Sequence, residues 1–114
     1  MSVLSFHELT DLVDNGVIDA DPENINGASI DITLGDHVMV EVEPDHYVPI
    51  NLAEKETINT KLLDISSIPL VIKPGEFLLA SSRETFNLPD NIACEFKLKS
   101  SLARSGIGHA LAGW

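Results

Sequence analysis

Cysteine is nearly absent: Cys94 stands alone in a chain of 114 residues. A single thiol closes no intramolecular disulfide, and no Cys/His cluster with zinc spacing surrounds it. The expected setting is a reducing cytoplasm, with Cys94 a small apolar residue in a strand. Cations are scarce as well. Seven Lys and Arg stand against 18 acids, for a formal charge of −11. That balance excludes nonspecific binding to nucleic acid, which needs basic side chains to displace counterions. No apolar run approaches the roughly 18 residues that span a bilayer, and Met1 to Thr10 has neither a basic head nor a long apolar stretch. The expectation is no membrane partner and no cleaved signal. Internal repeats, low-complexity tracts and linkers are missing too. What remains folds: 44% of residues are apolar and the mean hydropathy is +0.12. One small domain, residues 1–114, with a single modest core is expected.

The charge is unevenly spread. Residues 1–54 contain no Lys or Arg and carry 12 of the 18 acids, whereas residues 97–114 hold Lys97, Lys99 and Arg104 and no acid. A basic segment in an acidic chain either neutralises neighbouring carboxylates or receives an anion.

Periodicity predicts one helix followed by strands. Ser5-Phe6-His7-Glu8 fits the S-x-x-E capping box, Leu4 and Leu9 stand as a hydrophobic staple, and Phe6, Leu9, Leu12 and Val13 share a face. Asn15-Gly16 supplies the stop. The period then becomes two. Ala28 to Leu34 alternates and is closed by Gly35-Asp36; Val38, Val40 and Val42 alternate with Met39, Glu41 and Glu43. Further strands are expected over Tyr47 to Ile50, Leu62 to Ile65, Leu70 to Ile72, Glu76 to Ser82 and Ile92 to Leu98. Lys73-Pro74-Gly75 and Leu88-Pro89-Asp90-Asn91 punctuate them as turns. Many short strands and one helix indicate an all-β sandwich or barrel-like fold. The chain stops on its only tryptophan, Trp114, after a strand-like run from His109. A β-domain ends after its last strand is paired, so the domain is expected to be incomplete at its C-terminus.

The chemistry gathers in Lys99-Ser100-Ser101-Leu102-Ala103-Arg104-Ser105-Gly106. Two cations, three hydroxyls and a glycine fall within eight residues. Hydroxyls and open backbone N–H groups donate to phosphate oxygens, and Arg adds a forked, permanent charge, so the composition suits a polyphosphate. An ordinary helix start with Ser100 as N-cap has the same composition, and no Walker spacing is present.

Three stretches in order resemble the dCTP deaminase branch of the dUTPase-like superfamily: Ile25 to Gly35, Ile72 to Ala80, and Lys99 to Gly106 with His109 to Trp114. The third carries the most weight, because Ser-Ser-Leu-Ala-Arg followed by His and Ala-Gly-Trp looks more like the deaminases than like plain dUTPases. The resemblance implies a distorted, jelly-roll-like β-barrel, assembled as a trimer with active sites between subunits. It also implies hydrolytic deamination of dCTP to dUTP, in some members continued to dUMP. In that family a glutamate acts as general base and acid on a water, Mg²⁺ accompanies the triphosphate, and no zinc takes part. Carried over by position, Ser100 orients the water and contacts the base, Ser101 and Arg104 meet the phosphates, and Ala112 supplies a carbonyl. Lys99, Leu102 and Ala103 complete the substrate-contacting run, and Arg104 supports the charge network of the site. For Asp31 the resemblance implies structural support near the site; as a residue it reads equally as the solvated face of a strand.

Three departures stand out. Lys99 replaces the usual Arg, the link from Arg104 to His109 is one residue shorter, and the family's catalytic glutamate falls beyond Trp114. Glu95 and Glu76 precede the serine block, but nothing in their spacing puts them opposite Ser100. His7, His37 and His46 read as surface residues and His109 as a packed strand residue. The chain is therefore expected to need its complement from a continuation or a second polypeptide. A non-catalytic nucleotide-binding homologue and a dUTPase are the competing readings.

Overall fold

The computed structural model describes residues 1–43, 45–46 and 48–110. The helix forms where the capping box predicts it. Ser5 lies in the β region, its Oγ accepts the Glu8 N–H, and the Glu8 carboxylate accepts the Ser5 N–H at 2.8 Å. α1 (Phe6–Asp14) follows. Its end is a Schellman turn: Gly16 takes a φ of 71°, its N–H meets the Val13 carbonyl, and the Val17 N–H reaches Leu12 at 2.9 Å. Leu9 is buried, and α1 packs on the strand that begins one residue after the turn.

That strand, β1 (Ile18–Asp19), pairs antiparallel with β5 (Thr85–Phe86), with Ile18 opposite Phe86. A second sheet is built on β2 (Leu34–Glu41), flanked by β3 (Thr60–Asp64) and β4 (Leu78–Ser82) in the order β3-β2-β4, all antiparallel. Its centre is Val38, opposite Leu63 on one side and Ala80 on the other, and only 1% exposed. One residue on, Met39 faces Leu62 and Leu79. Side chains alternate across a sheet, so this second row lies on the opposite face. There Leu62, Met39 and Leu79 are 65%, 38% and 57% exposed. Among the described residues only Leu9, Ile18, Ile25 and Val38 are buried apolar residues.

The all-β class with a short N-terminal helix holds. Among the described residues the two sheets remain separate and close no barrel. Several boundaries differ from expectation. Of the alternating run Ala28 to Leu34, only Leu34 enters a strand. Upstream, the Asn26 N–H donates to Ser29 and the Asp31 N–H to Asn24, and an isolated bridge joins Ile25 to Ile30. Backbone groups satisfied locally leave no ladder to extend. Gly35-Asp36, expected to close a strand, lies inside β2, where an irregularity between Leu34 and Val38 absorbs it. A Cβ at Gly35 would come within 3.0 Å of the Ser81 carbonyl, so the missing side chain lets β4 approach. Leu70 to Ile72 and Ile92 to Leu98 are irregular and join no ladder. Residues 48–50 are irregular too, and Tyr47 lies outside the described residues.

The fold is open. Its radius of gyration is 17.3 Å, against about 13 Å for a compact domain of this length. Its accessible surface is 9525 Å², against about 6,100 Å² for a compact monomer of this mass. No helix of the described residues is long and apolar enough to cross a membrane.

Candidate functional site

Lys99 keeps an extended backbone, and its carbonyl accepts the N–H groups of Leu102 and Ala103 at 3.0 and 3.1 Å. The turn it opens is α2 (Ser100–Arg104), without a side-chain cap. The stretch Ile92 to Lys99 that leads into it is irregular rather than a strand, and Lys99, not Ser100, holds the N-cap position. A second Schellman turn closes α2. Gly106 takes a φ of 87°, its N–H meets Ala103, and the Ile107 N–H meets Leu102 at 3.2 Å.

Helical spacing decides what this turn presents. Ser100 and Arg104 are four apart and Ser101 and Arg104 three apart, so both serines flank the arginine on one side of α2. All three are exposed, and the four ion pairs among the described residues do not include Arg104. Ser105 Oγ donates to the Ser101 carbonyl at 2.9 Å, bracing the back of the turn. Two exposed hydroxyls beside a guanidinium that no described carboxylate pairs with suit an oxyanion.

Lys99 is differently placed. Its Nζ donates to Asp31 Oδ2 at 2.6 Å. The other oxygen, Oδ1, accepts Asn26 Nδ2 at 3.1 Å, and the same amide reaches Ser29 Oγ at 3.4 Å. The Lys99 ammonium, aided by the Asn26 amide, holds the Asp31 carboxyl below its ordinary range. The first and third stretches singled out in the sequence thus meet through one charge pair. Sequence reasoning left this partner of Lys99 unassigned, although an acid in one block and a cation in the other were its visible signal. The middle stretch forms a turn and β4, with the Lys73 N–H held by the Glu76 carboxylate at 2.7 Å and Gly75 at a φ of 84°.

Both candidate substitute carboxylates are locally engaged: Glu76 with Lys73, and Glu95 with Lys97 Nζ at 2.7 Å. His109 sits edge-on to Phe96 with ring centroids 5.2 Å apart. His7, His37 and His46 are exposed, as expected of surface residues. Ala112 lies outside the described residues. Among those described, no group of three or more His, Cys, Asp or Glu is placed to hold a metal ion. Two clefts, of about 320 and 300 Å³, open beside Glu84 and along β2, and neither is lined by α2. The α2 side chains thus stand on an exposed surface outside both clefts.

Comparison with known proteins identifies the family. A family model described as dCTP deaminase-like matches residues 3–114. Among curated relatives, the "dCTP deaminase, dUMP-forming" of Methanospirillum hungatei is 38% identical over 111 residues, covering 94% of this chain and 59% of its own length. The proteins of the same name from Streptomyces coelicolor and Nanoarchaeum equitans are 33% and 36% identical, each over 98% of this chain and 61% and 66% of their own lengths. The chain thus spans about three-fifths of the length of such relatives. Its open hydroxyl-and-arginine turn, its all-β framework and this similarity along almost its whole length place the chain in the dCTP deaminase-like family.

Proposed function

We propose that this chain supplies the nucleotide-gripping part of a dCTP deaminase of the cytoplasm. The observation that carries the reading is the α2 turn, which gathers Ser100, Ser101 and Arg104 on one exposed side of a chain otherwise dominated by acids. In this reading Arg104 and Ser101 bind the triphosphate, and Mg²⁺ arriving with the nucleotide would offset part of its charge. The Leu102 and Ala103 backbone shapes the same turn. Ser100 Oγ and the carbonyl of Ala112 orient a water against C4 of cytosine. A carboxylate takes a proton from that water as its oxygen adds to C4 and hands it to ring N3; the proton left on the new C4 hydroxyl then passes by the same carboxylate to the amino group, the C4–N bond breaks, ammonia leaves, and dUTP remains with its C4 carbonyl and N3–H. A hydroxyl alone does not perform that transfer near neutral pH, so the proposal includes a carboxylate brought to the site by a complementary polypeptide. The exposed Leu62, Met39 and Leu79 row favours such a complement, because apolar sheet faces of this kind are normally covered. A trimer with sites between subunits fits site residues that stand on an exposed surface. The names of the relatives extend the proposal to a second step, hydrolysis of dUTP to dUMP.

The test is release of ammonia from dCTP with Mg²⁺, assayed for the chain alone and for the complex it forms in its native cell. Ammonia from the complex supports the proposal. Binding that raises the melting temperature without turnover in either sample marks a regulatory homologue instead, and dUMP formed from dUTP but no ammonia from dCTP marks a dUTPase.

A further inference from the structure

We propose that Lys99 is a positioning residue: its ammonium serves the nucleotide site by tying the α2 turn to Asp31, and direct phosphate contact falls to Ser101 and Arg104. The inference rests on the reading of α2 as a nucleotide site and assigns the role of one residue within it. It starts from how the segment between Leu88 and Ala110 is attached. Among the described residues every backbone hydrogen bond of that segment is local, and its one side-chain hydrogen bond to the rest of the molecule is the Lys99–Asp31 pair, 68 positions apart in sequence. Half-buried Ile92 and Leu98 add apolar contact, but such contact has no direction and does not fix the rotation of a helical turn. A hydrogen-bonded charge pair does.

The receiving end is well braced. Asp31 uses one oxygen for Lys99 and the other for Asn26, and its own N–H is bonded to the Asn24 carbonyl at 2.9 Å. The donating end is the residue whose carbonyl opens α2. Lys99 therefore fixes the turn at its first residue, directly before Ser100. Its charge is already compensated, and a phosphate would have to displace a carboxylate held at 2.6 Å to recruit it.

Two roles for Lys99 give opposite signs for one substitution. If Lys99 were a phosphate ligand merely parked on Asp31, Asp31→Asn would remove a competing negative charge and tighten anion binding. As a tether, Asp31→Asn loosens the turn and weakens it. The experiment measures the affinity of the full chain for Mg²⁺–dCTP by calorimetry, and in parallel amide hydrogen exchange with no nucleotide present. We expect Asp31→Asn to weaken binding about two- to fivefold, the range of an exposed ion pair, and to speed exchange at Leu102 to Ser105 while Val38 and Met39 are unaffected. Lys99→Arg should preserve both properties. Unchanged or tighter binding in Asp31→Asn overturns the proposal, and so does unchanged exchange. If the unmodified chain fails to bind Mg²⁺–dCTP, it is the nucleotide reading that falls, and the exchange comparison still decides whether Asp31 holds α2.

Discussion

Arg104 is the side chain on which the proposed chemistry leans hardest. It stands beside two hydroxyls on the same side of α2, and none of the four ion pairs among the described residues claims it. Arg104→Ala should weaken Mg²⁺–dCTP binding by roughly 1.5–3 kcal/mol, the loss expected for a charge-assisted contact. Calorimetric titration measures it, and an unchanged affinity would remove Arg104 from the site. The cluster itself was legible from residue types alone, since helical spacing of Ser100, Ser101 and Arg104 is a property of sequence once the turn is recognised as helix. The state of Lys99 was not. Two cations five residues apart look alike on paper, and only the fold shows that one of them meets Asp31 across 68 positions. Local patterns report on neighbours within a turn or so, whereas long-range pairings depend on how strands bring distant loops together.

At the scale of elements, the best-forecast structure was the one with the most local determinants. α1 carries its own start in Ser5 and Glu8 and its own stop in Gly16, so each end is decided by bonds within a few residues. Strands fared differently. Val38 to Glu41 alternates and sits in β2, but Leu70 to Ile72 and Ile92 to Leu98 are equally apolar and remain outside any ladder. A strand exists only with a partner, and partner availability is not written in its own residues. Gly35 illustrates the reverse error, a residue typical of turns serving inside a strand because β4 passes close by. A methyl group there meets the Ser81 backbone carbonyl, which has no flexible end to swing aside. Gly35→Ala should therefore lower stability by about 1–3 kcal/mol, read from the midpoint of denaturant unfolding. Gly27→Ala is the control, because a Cβ there meets nothing within 4 Å.

At the scale of the molecule, surface outweighs core. An accessible area of 9525 Å² with four buried apolar side chains among the described residues leaves much hydrocarbon in contact with water. The chain on its own should bind a hydrophobic dye strongly, and Leu62→Glu with Leu79→Glu should reduce that signal. A signal untouched by the pair would mean that the exposed row is not what the dye finds. The basic segment in an acidic chain was visible at once from composition, as was the all-β class; the openness was not, because apolar content alone does not say how much of it is buried. A last consequence lies at the N-terminal end. The Schellman turn after α1 hands the chain to β1 with Val17 alone between Gly16 and Ile18, and the carbonyl of Val17 also receives the Asn87 N–H at 2.8 Å. Helix and strand thus follow one another without a loop, and the end of α1 is bonded at Val17 directly to the segment leaving β5, so a shift of the helix is felt first by the β1–β5 pair.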